Sequence, residues 1–225
     1  MKKLIVFVLI VLLCAYLFAA TQEFKFMDIP FKSNIVSVQD ALQKVGLDNP
    51  SISDPLFWHE WGTDMNWFVN SDVFGQDMKY YPSADFKIAG YPVSLIQLSF
   101  LYGLSNGKID YSEETTELVQ VKIEFKTSDA LALYNDLCEK LSSLYGRGKS
   151  SKSNSGYESY DTLWSGANNT GIHLSCGIRK DKGNVIYQAV TLFYGRTDAE
   201  AMKRNVLKAI EQSKIESNKT NTWGL

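Results

Sequence analysis

The densest group of side chains that could do chemistry lies in the stretch FWHEWGTDMNWF, from Phe57 to Phe68. It holds three of the five tryptophans in the chain, one of the two histidines, two carboxylates and an amide. Flat aromatic faces beside hydrogen-bonding groups suit a sugar or another amphipathic ligand. The more ordinary alternative is an irregular segment held to the core by its rings, because tryptophan is highly buried on average. The candidate ligand-binding residues are Trp58, His59, Glu60, Trp61, Asp64, Asn66 and Trp67.

The sequence does not contain the residue patterns of a metal site or of covalent catalysis. A zincin-type site built on His59 and Glu60 needs a second histidine four residues after the first, where Thr63 stands. The other histidine, His173, is predicted on the outward face of a strand among polar neighbours. No G-x-S-x-G nucleophile motif is present. We therefore predict no metal, no cofactor and no catalytic residue.

The segment SSLYGRGKS, from Ser142 to Ser150, has the ending of a phosphate-binding loop. Such a loop requires G-x-x-x-x-G-K-[ST] after a strand and before a helix. Here Ser143 occupies the first glycine position, and a predicted helix precedes the segment. The negative end of a helix dipole disfavours phosphate. The sequence therefore predicts a mobile basic surface loop and no nucleotide site.

Carboxylates are numerous, but a sequence does not show which of them converge in space. Pairs such as Glu113-Glu114 precede a predicted strand, where solvated charges are ordinary. A hydrolase whose carboxylates meet only in the fold therefore stays open as an alternative.

The N-terminus predicts export. A basic head, Met1-Lys2-Lys3, precedes an uncharged apolar run from Leu4 to Ala20 that ends in two small residues. This pattern is typical of a bacterial secretory signal peptide. The alternative is an uncleaved membrane anchor, because the run is close to the shortest length that spans a bilayer. The protein is then periplasmic or extracellular, and it meets the membrane only if this segment is retained.

Composition favours a packed globular chain over a nucleic-acid-binding protein. Apolar residues make up 45% of the chain, and the formal net charge is −2. Proteins that bind nucleic acid usually carry a basic face, so we predict no nucleic-acid partner.

Periodicity predicts three helices, which begin at Ser37, at Ser128 or Asp129, and at Thr197 or Asp198. Two groups of three strands lie between the helices. The clearest strand, LVQVKIEFK, alternates strictly, which predicts one buried face and one solvent-exposed face. The order of elements predicts an α+β fold in two layers, with helices packed on antiparallel sheet. It also predicts tandem helix-plus-three-strand units, at about 24–127 and 128–212, between the signal peptide 1–20 and a frayed polar tail 213–225.

Two cysteines remain beyond the signal peptide. Cys138 lies on the apolar stripe of the second predicted helix, and Cys176 lies on the apolar face of a predicted strand. An oxidising compartment permits a disulfide between them. Two buried free thiols acting as small apolar residues are the alternative, and export favours the bond.

The chain resembles small secreted bacterial proteins and lipoproteins of unknown function. The resemblance rests on MDIPFKSNIVSVQDAL, a helix ending in LSSLYG, a strand with tryptophan and the strand IHLSCG. It implies export and an α+β fold, and no catalytic residue is carried over. The architecture also looks like that of the β-lactamase inhibitory protein and of outer-membrane assembly lipoproteins, and such a likeness does not determine function.

Two hypotheses for the function follow from the sequence. The first is a non-enzymatic envelope or extracellular module that binds a protein or a glycan through a sheet face or the Trp58–Trp67 segment. The second is the hydrolase with converging carboxylates described above. The missing catalytic motif and the aromatic stretch favour the binding module.

Overall fold

The computed structural model describes residues 23–53, 58–59, 66–67, 75–106, 108–154 and 157–221. Within these ranges the α-helices are α1 (Ile35–Gln43), α2 (Ala130–Tyr145) and α3 (Ala199–Asn221). The strands are β1 (Ser51–Ser53), β2 (Trp58–His59), β3 (Asn66–Trp67), β4 (Gly75–Tyr80), β5 (Lys87–Ile88), β6 (Tyr91–Leu101), β7 (Gly103–Ser105), β8 (Lys108–Asp110), β9 (Glu117–Phe125), β10 (Lys149–Asn154), β11 (Glu158–Ser165), β12 (Thr170–Asp181) and β13 (Asn184–Arg196). The segment predicted as a signal peptide, 1–20, lies outside the described residues.

The fold is a mixed one, with a large antiparallel sheet and a few helices. Nine strands form that sheet, in the order β1-β4-β6-β9-β13-β12-β11-β10, with β5 paired to β6. Two further pairs, β2-β3 and β7-β8, form separate two-stranded sheets. The prediction of an α+β fold is confirmed.

Helix α1 begins before the predicted cap at Ser37. Asn34 is the N-cap, and its side-chain Oδ1 accepts a hydrogen bond from the Ser37 amide at 2.9 Å. A capping asparagine satisfies an amide that otherwise lacks a partner in the first turn. The predicted start is therefore wrong by about one turn, although Val38 and Leu42 are buried as their spacing predicts.

Helix α2 follows its sequence signals closely. Asp129 caps it by accepting from the Ala132 amide at 3.0 Å, and Leu133, Leu137 and Leu141 form its buried stripe. Gly146 ends it with φ of 78°, a left-handed conformation that glycine adopts without a steric penalty. Local capping and periodicity are sufficient to define this helix.

Helix α3 extends beyond its predicted length. It begins at Ala199 and continues to Asn221, through much of the segment predicted as a frayed tail after residue 213. Leu101, Val119, Ala199 and Val206 form a buried cluster at its first turns, with Ile109 and Met202 packed against them.

The chain divides into two compact units. Of the described residues, unit 1 contains 23–24, Ser83–Ser94 and 123–194, and unit 2 contains 25–82, 95–122 and 195–221. Unit 1 therefore holds α2 and β10–β12, and unit 2 holds α1, β1, β4, β7, β8 and α3. Within the described ranges, no helix is both long enough and apolar enough to cross a membrane.

Candidate functional site

The aromatic stretch is described only at its two ends. Strands β2 and β3 pair antiparallel, with Trp58 opposite Trp67 and His59 opposite Asn66. The backbone register thus brings together four of the seven candidate ligand-binding residues, two of them tryptophans. The other three, Glu60, Trp61 and Asp64, lie outside the described residues. The ligand site predicted for this stretch stays a prediction.

We expect replacement of Trp58 and Trp61 by phenylalanine to remove solvent-accessible fluorescence if the stretch is a binding surface. Acrylamide quenching of the folded wild type and of the double variant measures the accessible fraction. An exposed aromatic patch marks an interaction site. Loss of the protected fraction, together with lower stability, would instead place these indoles in the core.

The segment 147–154 differs from the predicted mobile loop. Lys149–Asn154 form β10, which pairs antiparallel with β11 from Lys149 opposite Leu163 to Asn154 opposite Glu158. The loop prediction is wrong, because backbone hydrogen bonds to β11 order a segment that has no apolar periodicity of its own. The GRGKS residues therefore follow the C-terminus of α2 and enter a strand, which is the reverse of a phosphate-binding loop.

A groove of about 410 Å³ lies between α2 and strands β10 and β11. Thr162 on β11 lines this groove. The Thr162 hydroxyl is 2.6 Å from the Tyr134 hydroxyl and 2.9 Å from the Ser150 hydroxyl. Burial raises the pKa of Tyr134, so that its phenol stays protonated at neutral pH. The groove therefore presents neutral hydroxyl groups.

One wall of the groove carries a positive charge. The Lys152 Nζ lies 4.6 Å from the centroid of the Tyr160 ring, which is cation–π geometry. A hydrogen bond with the Tyr160 side chain raises the pKa of Lys152, which therefore remains charged at neutral pH.

Cys138 and Cys176 are free thiols in the structure, so the disulfide predicted between them is not formed there. The Cys138 thiol instead donates to the Thr162 hydroxyl at 3.5 Å. Thr162 is the register partner of Leu174, whereas Cys176 is opposite Tyr160. Cys138 is therefore directed to a neighbouring strand. Burial raises the pKa of Cys176 to about 11, which makes this thiol a poor nucleophile at neutral pH.

His173 was predicted on a solvent-exposed strand face, but it is buried. Its ring stacks on Phe193 with a centroid distance of 5.8 Å, and its Nε2 is 2.9 Å from Asp161 Oδ1. Ser159 donates to the other oxygen of Asp161 at 2.6 Å. Polar partners within the sheet therefore allow this histidine to be buried.

The Asp161 cluster contains serine, histidine and aspartate, and its serines bond to the aspartate. Burial alone would raise the pKa of Asp161, but hydrogen bonds from His173, Ser159 and Ser175 outweigh it and lower the pKa. In a triad the serine hydroxyl contacts the imidazole, whereas both serines here donate to the carboxylate. The cluster is an ionised carboxylate held by three donors.

A second buried carboxyl group lies in unit 2. Asp77 is fully buried on β4, opposite Ser99 on β6. Ser99 donates to it at 2.7 Å, and the Gln97 amide donates to its other oxygen. The sequence provides no signal for this cluster, because Asp77 is 20 and 22 residues away from Gln97 and Ser99, and a local pattern does not show that β4 pairs with β6. No group of three metal-ligating side chains is found among the residues that the structure describes.

The hairpin that joins β12 to β13 extends into solvent. Its turn residues, Lys182 and Gly183, have φ of 48° and 86°, which suits a two-residue type I′ turn. All residues from 179 to 187 are exposed, and we name this segment the arm.

The arm carries three consecutive apolar residues. Val185, Ile186 and Tyr187 are 50%, 56% and 53% exposed. Successive strand residues point to opposite faces, so apolar side chains lie on both faces of the arm. The Tyr157 ring stacks on Tyr187 with a centroid distance of 6.5 Å. Tyr157 covers Gly177, where any Cβ would overlap the tyrosine hydroxyl.

Comparison of the chain with models of protein families, with curated proteins and with solved structures gave no match. The resemblance to secreted bacterial proteins and lipoproteins therefore stays a prediction. The surfaces described above are therefore the basis for the proposed function.

Proposed function

We propose that the protein is an exported, non-enzymatic binding module whose partner is another protein. The observation that carries this proposal is the arm, where Val185, Ile186 and Tyr187 are each about half exposed and adjacent to one another. Exposed apolar residues scattered singly are normal on a protein surface, whereas Val185 and Tyr187 share one face of the arm with the stacked Tyr157 ring, and such a group marks an interaction site.

The composition of the arm fits a protein interface. Tyrosine and aliphatic side chains form the apolar centre of the arm, and Arg179, Lys180 and Lys182 lie beside them. Interfaces commonly combine aromatic anchors with a polar rim. Lys180 is held by Glu158 at 2.7 Å, which adds a fixed polar group next to Tyr157 and Tyr187.

We include in this proposal the two-layer architecture, the tandem units and the signal peptide that the sequence predicts. In unit 1, α2 contacts β11 through Tyr134 and Thr162. In unit 2, α3 contacts Leu101 and Val119. One helix layer on sheet in each unit supports the two-layer plan. The tandem boundary near residue 127, the signal peptide and export remain proposals with it.

A photoreactive amino acid at position 186 tests the proposed function. In cells of the organism that makes the protein, we expect irradiation to give one adduct of defined mass. Tyr81 is a matched control, because it is 71% exposed and its neighbour Tyr80 is buried. Additional Val185→Ser and Tyr187→Ser changes should abolish the adduct, and exposed substitutions of this kind usually alter stability by less than about 0.5 kcal/mol.

Two results would contradict the proposed function. The first is equal labelling from positions 186 and 81, which would mean that the arm contacts proteins no more than any exposed site does. The second is the absence of a defined adduct from position 186 in cells that contain the folded protein. No observation on the described residues favours the hydrolase alternative.

A further inference from the structure

We propose that the free edge of β10 is a second binding surface, which takes an extended acidic polypeptide segment as an added strand. Strand β10 ends the order of the nine-stranded sheet, and all six of its residues are exposed. An edge strand presents a row of backbone N–H and C=O groups that can pair with another chain. A six-residue strand is about 20 Å long, which is sufficient for several main-chain hydrogen bonds.

The positive charges along this edge favour a partner that carries negative charge. Lys149 and Lys152 lie in β10, Arg147 precedes it, and the strand contains no acidic residue. Glu158, which is opposite the last residue of β10, is bonded to Lys180. Lysines on an edge oppose pairing with neutral or basic strands, whereas a strand that carries carboxylates is attracted to them.

The groove beside the edge provides a place for side chains of the bound segment. It opens next to Ser150, Ser151 and Lys152, and Thr162 and Tyr134 line it. Alternate residues of an added strand point to this side. A carboxylate there would meet the Lys152 ammonium group. The proposal thus combines main-chain pairing with recognition of acidic side chains, and it does not depend on the arm.

Fluorescence anisotropy with a labelled short peptide of alternating glutamate and valine tests the proposal. We expect saturable binding that weakens as salt is added, because the attracting charges are exposed. A Lys149→Glu/Lys152→Glu variant should bind at least about tenfold more weakly. A Lys87→Glu/Lys126→Glu variant has the same change in net charge at exposed positions and should bind as the wild type does.

A second peptide separates strand addition from charge attraction alone. Methylation of alternate backbone nitrogens keeps every side chain but removes the N–H donors along one edge of the peptide. We expect binding of this peptide to be at least about tenfold weaker, because a strand pair depends on those donors. Equal binding of the methylated peptide, or equal binding of a sulfated oligosaccharide, would show a polyanion surface and overturn the proposal. Absence of saturable binding, or unchanged affinity in the Lys149→Glu/Lys152→Glu variant, would overturn it as well.

Discussion

Replacement of Asp161 by alanine is expected to lower the free energy of unfolding by about 3 kcal/mol at pH 7. The wild-type carboxylate accepts hydrogen bonds from His173 and Ser159, and the His173 ring is buried against Phe193. The variant leaves the buried imidazole without this acceptor, and an unsatisfied buried group costs its full desolvation energy. Urea denaturation followed by circular dichroism measures the loss.

The control for this experiment is an exposed acidic residue in the same unit. Glu139 is exposed on α2. Substitutions at exposed positions usually change stability by less than about 0.5 kcal/mol, so the Glu139→Ala variant should lose much less than the Asp161→Ala variant. Equal losses would mean that the Asp161 cluster is no more than a surface feature.

The pH dependence of the Asp161→Ala effect follows from the direction of the pKa shift. The pKa of Asp161 is lower in the folded protein than its ordinary value, which is about 3.9. A carboxylate with a lowered folded pKa stabilises fully above its unfolded pKa, and this contribution is lost as pH falls through the folded pKa. The difference in unfolding free energy between wild type and variant should therefore shrink as the pH falls below about 4. A difference that stays the same or grows over this acidic range would contradict this assignment.

The second large effect is expected at Asp77. An Asp77→Ala variant should lose about 3 kcal/mol of unfolding free energy, because Gln97 and Ser99 are buried donors that would both lack this acceptor. The same urea denaturation measurement applies, with the slope of the transition compared between variants to establish that the change lies in stability.

A double-mutant cycle with Ser99→Ala attributes part of that loss to a single hydrogen bond. In the wild type, removal of the Ser99 hydroxyl should cost about 1–2 kcal/mol, while in the Asp77→Ala background it should cost almost nothing. Additive losses would show that the 2.7 Å contact between Ser99 and Asp77 contributes no stability.

These two clusters show what strand periodicity does not reveal. The alternation in LVQVKIEFK predicts that Gln120 faces solvent, yet Gln120 is 5% exposed. His173 differs from its prediction in the same way. A polar residue in a strand is exposed only if nothing covers its face. The residues that cover it come from distant parts of the chain, so a local pattern contains no information about them.

The candidate surfaces also differ in how far the sequence predicts them. The aromatic stretch was identified from residue types alone, because tryptophan is rare and its clustering is visible in a sequence. The arm had a partial signal, since the turn at Lys182 and Gly183 and the apolar residues after it are adjacent. Their exposure depends on β13 extending beyond the packed part of unit 1. The edge of β10 had no signal, since its residues are serine, lysine and asparagine.

The sequence by itself determined the α+β class, helix α2 with its caps at Asp129 and Gly146, and the hairpin turn before β13. The class follows from the order of helix and strand patterns along the chain. The helix caps and the turn depend on hydrogen bonds and backbone angles within a few residues, which local sequence specifies. The tertiary structure alone decided that β10 is a strand, that Cys138 is directed to Thr162, and that Asp77 and Asp161 are buried. Those outcomes depend on partners far along the chain, because a strand, a thiol or a carboxyl group is stabilised by the groups that the fold places against it.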